Sequence, residues 1–435
     1  MIDYELLMPA GDFEKMQYAF AFGADAAYLG IPRFSLRARE NGFKTLDQVV
    51  EAVDYAHAID KKVYVTANIL PHNSKVEPCI EYIGRTLERC KPDAWIMSDP
   101  GLIMLMREKY PDQVIHISVQ ANTVNYASAQ FWRKMGAGRI ILSRELNVRE
   151  IKEIRNAADD MELEAFVHGA ICIAYSGRCL ISTYLTGRDP NQGTCTNSCR
   201  WKYKIFRKDN KEPGREYVPL KDEFYLEESE RPGEFLPIDE DENGAYLMNA
   251  RDLCVIEHLD ELHAAGVNSF KVEGRSKSLY YVAMIARAYR RAIDDLKEGK
   301  SFNPENLRDI FATSNRSLTT GFIHGSPGAA GQKYDVSGSL SSSHRFTGVV
   351  RDYDPGTKMV KVEPRNAIHK GASYELCSPN RDCRIVVEDL FDEKGKPVDQ
   401  IHGGMPVCSI PIDDDPGPFA VLREQLDDDA TGRFT

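Results

Sequence analysis

Four cysteines, Cys172, Cys179, Cys195 and Cys199, span 28 positions with the spacing C-x6-C-x15-C-x3-C. Thiolates are soft anionic ligands, and so dense a set is suited to a metal centre. A disulfide pair is disfavoured in a reducing compartment. Structural zinc usually takes paired knuckles of C-x2–4-C, and only Cys195 with Cys199 has that spacing. An iron–sulfur cluster tolerates irregular spacing, because each thiolate binds its own corner of the cluster. Cluster, zinc and unligated thiols therefore all stand. Cys254 lies just beyond this segment, whereas Cys79, Cys90, Cys377, Cys383 and Cys408 are scattered on helix or strand patterns and read as small buried side chains.

Such a set needs a scaffold. Short apolar runs recur at Glu5–Met8, Ala26–Ile31, Lys62–Asn68, Asp93–Met97, Val114–Val119, Arg139–Leu142, Glu162–Val167 and Ser269–Val272. Between them lie helix-period segments, among them Phe13–Phe22, Leu46–Ile59, Ile80–Lys91, Tyr126–Met135 and Val148–Ala157, with cap residues at Asp12, Thr45 and Asn147. Eight strand–helix units predict an α/β fold, a (β/α)8 barrel over residues 1–300. A doubly wound open sheet is the alternative, weakened because no GxGxxG opens a helix. The interruption at 170–250 holds the cysteines and an acidic insertion, and it follows the seventh strand. In a barrel, that loop lies at the C-terminal face, where active sites are built. A connector is expected over 301–343, a small all-β barrel over 344–416 and an acidic tail over 417–435.

The chain has 435 residues and a net charge of −11, which at first argues against a nucleic-acid partner. Location changes that. Asp209–Asn243 carries a net −9 and Asp413–Asp429 a net −6, which leaves +4 on the rest. No run of 18 apolar residues suggests a membrane span, and the start Met1-Ile2-Asp3-Tyr4-Glu5 lacks a signal-peptide pattern, so a cytoplasmic protein with reduced thiols is expected. The acidic insertion is a candidate surface for a protein partner.

Glu164-Ala165-Phe166-Val167-His168-Gly169-Ala170-Ile171-Cys172, followed by Gly177-Arg178-Cys179-Leu180-Ile181-Ser182, resembles the signature of the collagenase-like peptidase family U32. Stretches such as Ser118-Val119-Gln120-Ala121-Asn122, Asp189-Pro190-Asn191-Gln192-Gly193-Thr194-Cys195 and Lys271-Val272-Glu273-Gly274-Arg275 are similar to one branch of that family from end to end. The resemblance implies a barrel with a C-terminal β-barrel, acting in oxygen-independent, prephenate-linked formation of 5-hydroxyuridine at the tRNA wobble position. It also implies a 4Fe–4S cluster, with zinc as the alternative metal. Cys172, Cys179 and Cys195 match three ligands, and the fourth is either Cys199 or Cys254.

That activity needs an anchor for prephenate, a dicarboxylate, and contacts to tRNA. Arginine forks suit carboxylates, and Arg33, Arg37, Arg39, Arg144 and Arg275 all follow expected strands. Asn68, His72, Gln120, Asn122, His168 and Glu273 would line the same mouth, with His168, Gln120, Asn122 and Glu273 the candidate catalytic groups. Arg200-Trp201-Lys202-Tyr203-Lys204, with Arg207-Lys208, mixes cations for phosphates with aromatics for an unstacked base. The family name raises proteolysis, yet no HExxH or GxSxG occurs. His258-Leu259-Asp260-Glu261-Leu262-His263 sets its histidines five apart, off one helical face. A peptidase, and a zinc-stabilised RNA-binding adaptor without catalysis, remain the competing readings.

Overall fold

A computed structural model describes residues 4–201, 250–314, 317–327 and 342–426, with the backbone alone of five short strands between 206 and 246 and nothing of the side chain of Arg200. The eight expected strands form. β1 (Glu5–Pro9), β2 (Ala26–Gly30), β3 (Lys62–Ala67), β4 (Ala94–Met97), β5 (Ile115–Ile117), β6 (Arg139–Ile141) and β7 (Glu162–Ala170) pair in parallel, each with the next. β8 (Ser269–Val272) pairs in parallel with both β7 and β1, which closes the barrel. These strands are rich in Val, Ile and Ala and buried on both faces, as a sheet covered by helices requires.

The helices begin where their caps place them. Asp12, Thr45 and Asn147 each accept a backbone N–H of the first turn, and Thr45 and Asn147 complete capping boxes with Gln48 and Glu150. One boundary moves: the helix expected from Ile80 runs Asn73–Leu87 and contains Pro78.

The barrel floor is ionic. Fully buried Arg139 reaches Glu5 at 2.5 Å, Glu162 at 2.8 Å and Glu164 at 3.0 Å, and Lys271 reaches Glu164 at 2.7 Å. Tyr64 and Ser269 donate hydroxyls to Glu5 at 2.6 and 2.7 Å. Each buried charge has an opposite partner, which such burial demands. Above this layer, Leu7, Tyr28, Tyr64, Ile96 and Ile141 fill the interior.

Three further elements are not evident from the sequence. Asp252–Cys254 forms a short strand antiparallel to β7, with Cys254 opposite His168. The connector 301–343 contains the helix Asn306–Thr313 and the strand Leu318–Thr319. The acidic tail 417–435 includes Val421–Gln425, a strand of the C-terminal sheet between His344–Asp354 and Ser373–Cys377. Ala420-Val421-Leu422 supplies its buried residues, while flanking aspartates dominate the composition. That sheet is six-stranded, antiparallel and a half-barrel, so the small all-β unit follows the barrel as expected. Arg287 and Arg423 join the two units through Asp309, at 2.7 and 3.1 Å.

Candidate active site at the barrel mouth

Every strand end except that of β1 contributes to one cavity of about 170 Å³ at the C-terminal face. Cys172, Cys179, Cys195 and Cys199 all line it, together with Arg37, Gln120, Arg144, Lys271, Glu273 and Arg275. The segment from Ile171 to Cys199 folds over the mouth as tight turns around the short helix Ile181–Thr186. Ser176 adopts a left-handed conformation (φ 46°), with its N–H and hydroxyl bonded to Glu145 at 2.6 and 3.1 Å. Asn191 fixes the second cysteine, since its side chain donates to the Cys179 carbonyl at 3.0 Å. Gly193 (φ 83°) lies where a Cβ would come within 2.7 Å of the Ser35 carbonyl, so no larger residue fits under the third cysteine.

The thiols are dressed with backbone donors. Ile181 N–H points at Cys179 Sγ and Asn197 N–H at Cys195 Sγ, each at 3.4 Å, and Cys172 accepts from Ala174. Such N–H···S bonds stabilise thiolate ligands and tune a cluster's potential. Burial pushes the Cys172 thiol up. Cys254 does not line the cavity. It accepts the same kind of bond from Ile256 and lies 3.9 Å from the Tyr289 hydroxyl, and burial pushes its thiol up to about 11. Position, not hydrogen bonding, separates it from the four.

Cations line the cavity together with the thiols. Arg275 is buried and gives Nη1 to Ser35 Oγ at 2.9 Å and Nη2 to the Leu36 carbonyl at 2.6 Å. Arg144 stacks 4.0 Å above the Phe166 ring, and Lys271 Nζ lies 4.3 Å from the centre of Tyr28. Burial lowers the pKa of Lys271, with Glu164 opposing that shift. Burial would lower Arg37 as well, but Glu273, Glu40 and the nearby thiols hold it above its usual value. Gln120 donates to the Gly177 carbonyl at 3.2 Å, while its Oε1 has no partner among the described residues.

Beside this cavity, and sharing Arg37, Cys195 and Asn197 with it, lies a second of about 520 Å³. Arg39, Arg188 and Trp201 line it, with Glu40 as its carboxylate. Exposed apolar side chains crowd the same segment: Tyr175, Leu180, Leu185 and, 85% exposed, Tyr184.

Other expected site residues lie elsewhere. His168 is buried against Tyr281 and Tyr289, which holds its pKa down to about 3, and it does not line the cavity. Asn122 is left-handed (φ 56°) and also outside it, and Arg33 and His72 are exposed away from it. Lys202, Tyr203 and Lys204 lie outside the described residues, and of Arg207 and Lys208 only the backbone is described. Tyr28 and Lys271 also line the cavity, and strand patterns conceal both, since each stands inside an expected β-run.

The chain is thus a closed (β/α)8 barrel with four thiols at its mouth, followed by a β half-barrel. Residues 11–333 match the model of peptidase family U32 and residues 342–423 that of the U32 C-terminal domain, so the chain belongs to this family. It is 43% identical to the tRNA hydroxylation protein P of Escherichia coli K12 over 433 residues, 95% of each chain. It is 32% identical to tRNA hydroxylation protein P1 of Bacillus subtilis 168, over 97% of this chain and 94% of that one. The 23S rRNA 5-hydroxycytidine C2501 synthase of E. coli K12 is 35% identical over 68% of this chain and 40% of its own length.

Proposed function

We propose that this protein hydroxylates a pyrimidine of tRNA, forming 5-hydroxyuridine at the wobble position, with a 4Fe–4S cluster held by Cys172, Cys179, Cys195 and Cys199. The observation that carries this reading is the convergence of those four thiols with Arg37, Arg144, Lys271 and Arg275 on one cavity. Relatives named for RNA hydroxylation, across almost the whole chain, support the reaction class.

The donor set suits a cluster better than zinc. Bonds of about 2.3 Å would bring four tetrahedral sulfurs within about 3.8 Å of one another. Among the described residues, no three of these thiols have sulfurs within 4.8 Å. A cubane, with its irons further apart, spans wider separations. When bound, the cluster supplies a Lewis-acid or redox centre facing the substrate.

The residues around it position the reactants. Arg37, Arg144 and Arg275, all in the cavity lining, suit the two carboxylates of prephenate. Gln120 Oε1 is an acceptor for the one N–H of a uracil ring. Glu273 accepts the Tyr28 hydroxyl at 3.3 Å and is the carboxylate placed to take a proton at the mouth. Trp201, held by Nε1 donation to the Thr196 carbonyl, offers a stacking face in the basic vestibule with Arg39 and Arg188. The acidic insertion, unsuited to phosphate, is left to a protein partner.

Among the described residues, the cavity lining holds no histidine to activate a thiol, so the geometry gives a peptidase no support. The test is mass spectrometry of wobble nucleosides from a strain lacking the protein, complemented by the wild type and by a Cys179→Ser variant. Loss of 5-hydroxyuridine restored only by the wild type is expected. Unchanged 5-hydroxyuridine overturns the proposal.

A further inference from the structure

Away from the mouth, one other set of donors converges. His258 and Glu261 lie three positions apart where the helix Leu259–Ala264 begins, and His324 comes from the connector. Their ligand atoms all lie within 4.8 Å of one another. His258 Nδ1 is 2.8 Å from Glu261 Oε1, His324 Nε2 is 3.1 Å from Oε2, and the two rings cross at 85°. His324 is held there by its neighbour: Ile323 is buried, and its carbonyl accepts the Val148 N–H at 3.0 Å.

Two imidazoles and a carboxylate are a zinc-type donor set with room for a water. An ion with bonds of about 2.0–2.1 Å would hold tetrahedral donors about 3.3 Å apart. The two imidazole–carboxylate separations are a few tenths of an ångström short of that, so a small opening of the group admits the ion without moving the backbone.

We propose that His258, Glu261 and His324 form a zinc site that staples the connector to the flank of the barrel. The staple has a bearing on the mouth. Thr319, Gly321 and Phe322 line a cavity of about 310 Å³ together with Cys172 and Arg144. Zinc at His324 therefore fixes connector residues that share a cavity with the first thiol.

The test uses the full chain, purified anaerobically, dialysed against a chelator and titrated with zinc. One equivalent is expected to bind, with an X-ray absorption shell of nitrogen and oxygen at about 2.0–2.1 Å and no sulfur at about 2.3 Å. His324→Ala, a change at a half-exposed side chain, is expected to weaken that binding by roughly 100-fold or more while iron content stays constant. Glu261→Gln, which keeps the shape of the side chain, is expected to act the same way. A shell of sulfur alone, no bound equivalent, or wild-type affinity in both variants overturns the proposal. These readouts are independent of tRNA hydroxylation, so either proposal can fail without the other.

Discussion

Replacing Cys199 by serine and, separately, Cys254 by serine distinguishes two ways of completing the thiolate set. A ligand must lose its proton, and the Cys254 thiol is pushed up to about 11 by burial. At pH 7 its ionisation would cost about 5 kcal/mol, from four pH units at 1.36 kcal/mol each. It would also have to leave the Tyr289 hydroxyl and its place opposite His168 to reach a cavity that it does not line. Cys199 lines the cavity already. The expected outcome is that Cys254→Ser keeps iron and sulfide within about a tenth of wild-type content after anaerobic purification. Cys199→Ser should lose at least half of both, with its broad visible absorbance bleaching in air. Far-ultraviolet circular dichroism checks that both variants are folded. Iron lost in Cys254→Ser and retained in Cys199→Ser would refute the reasoning.

Three further outcomes follow from the geometry. Asp309→Ala leaves Arg287 and fully buried Arg423 without a shared carboxylate, so urea unfolding should show a loss of about 3–5 kcal/mol, and a change below about 1 kcal/mol would discount the junction. Burial holds His168 near 3 against 6.5 for an ordinary imidazole, so only the unfolded chain takes up that proton between those values. Its stabilising contribution is complete above pH 6.5 and falls by about 1.4 kcal/mol per unit below it. His168→Gln should thus shrink the stability difference between pH 6.5 and pH 5 by about 2 kcal/mol, and an unchanged difference counts against a buried neutral ring. Trp201→Ala should weaken tRNA binding by about 1–3 kcal/mol in filter-binding or fluorescence titrations, while Arg188→Ala should lower the salt dependence by about one phosphate contact; normal binding in both removes the vestibule from the RNA path.

The barrel was legible because its signals are local. Apolar runs bounded by cap residues mark β1–β8, and the 80-residue interruption after the seventh marks the mouth. What was not legible depends on distant partners. Val421–Gln425 has strand-forming residues, but surrounding aspartates hide a segment whose burial comes from pairing with residues near 346 and 376. Histidine spacing around 258–263 spoke only against a local metalloprotease motif; the third donor, His324, is 61 positions beyond His263. His168 ends a strand like the other mouth residues, yet the ring turns toward Tyr289, a contact set by a helix that begins at Leu279.

Closure of the barrel also has a kinetic side. Glu5 and Ser269 meet across 264 positions, and joining ends so far apart costs about 5 kcal/mol of chain entropy by the (3/2)RT ln n relation. Glu5 is at once the register partner of Ser269 and the carboxylate on which Arg139, Tyr64 and Ser269 converge. The last seam of the barrel and its ionic floor therefore form in one event. Before that event Arg139 lacks Glu5. A half-wound barrel is penalised electrostatically, so partly folded chains are driven either back to solvent or on to closure.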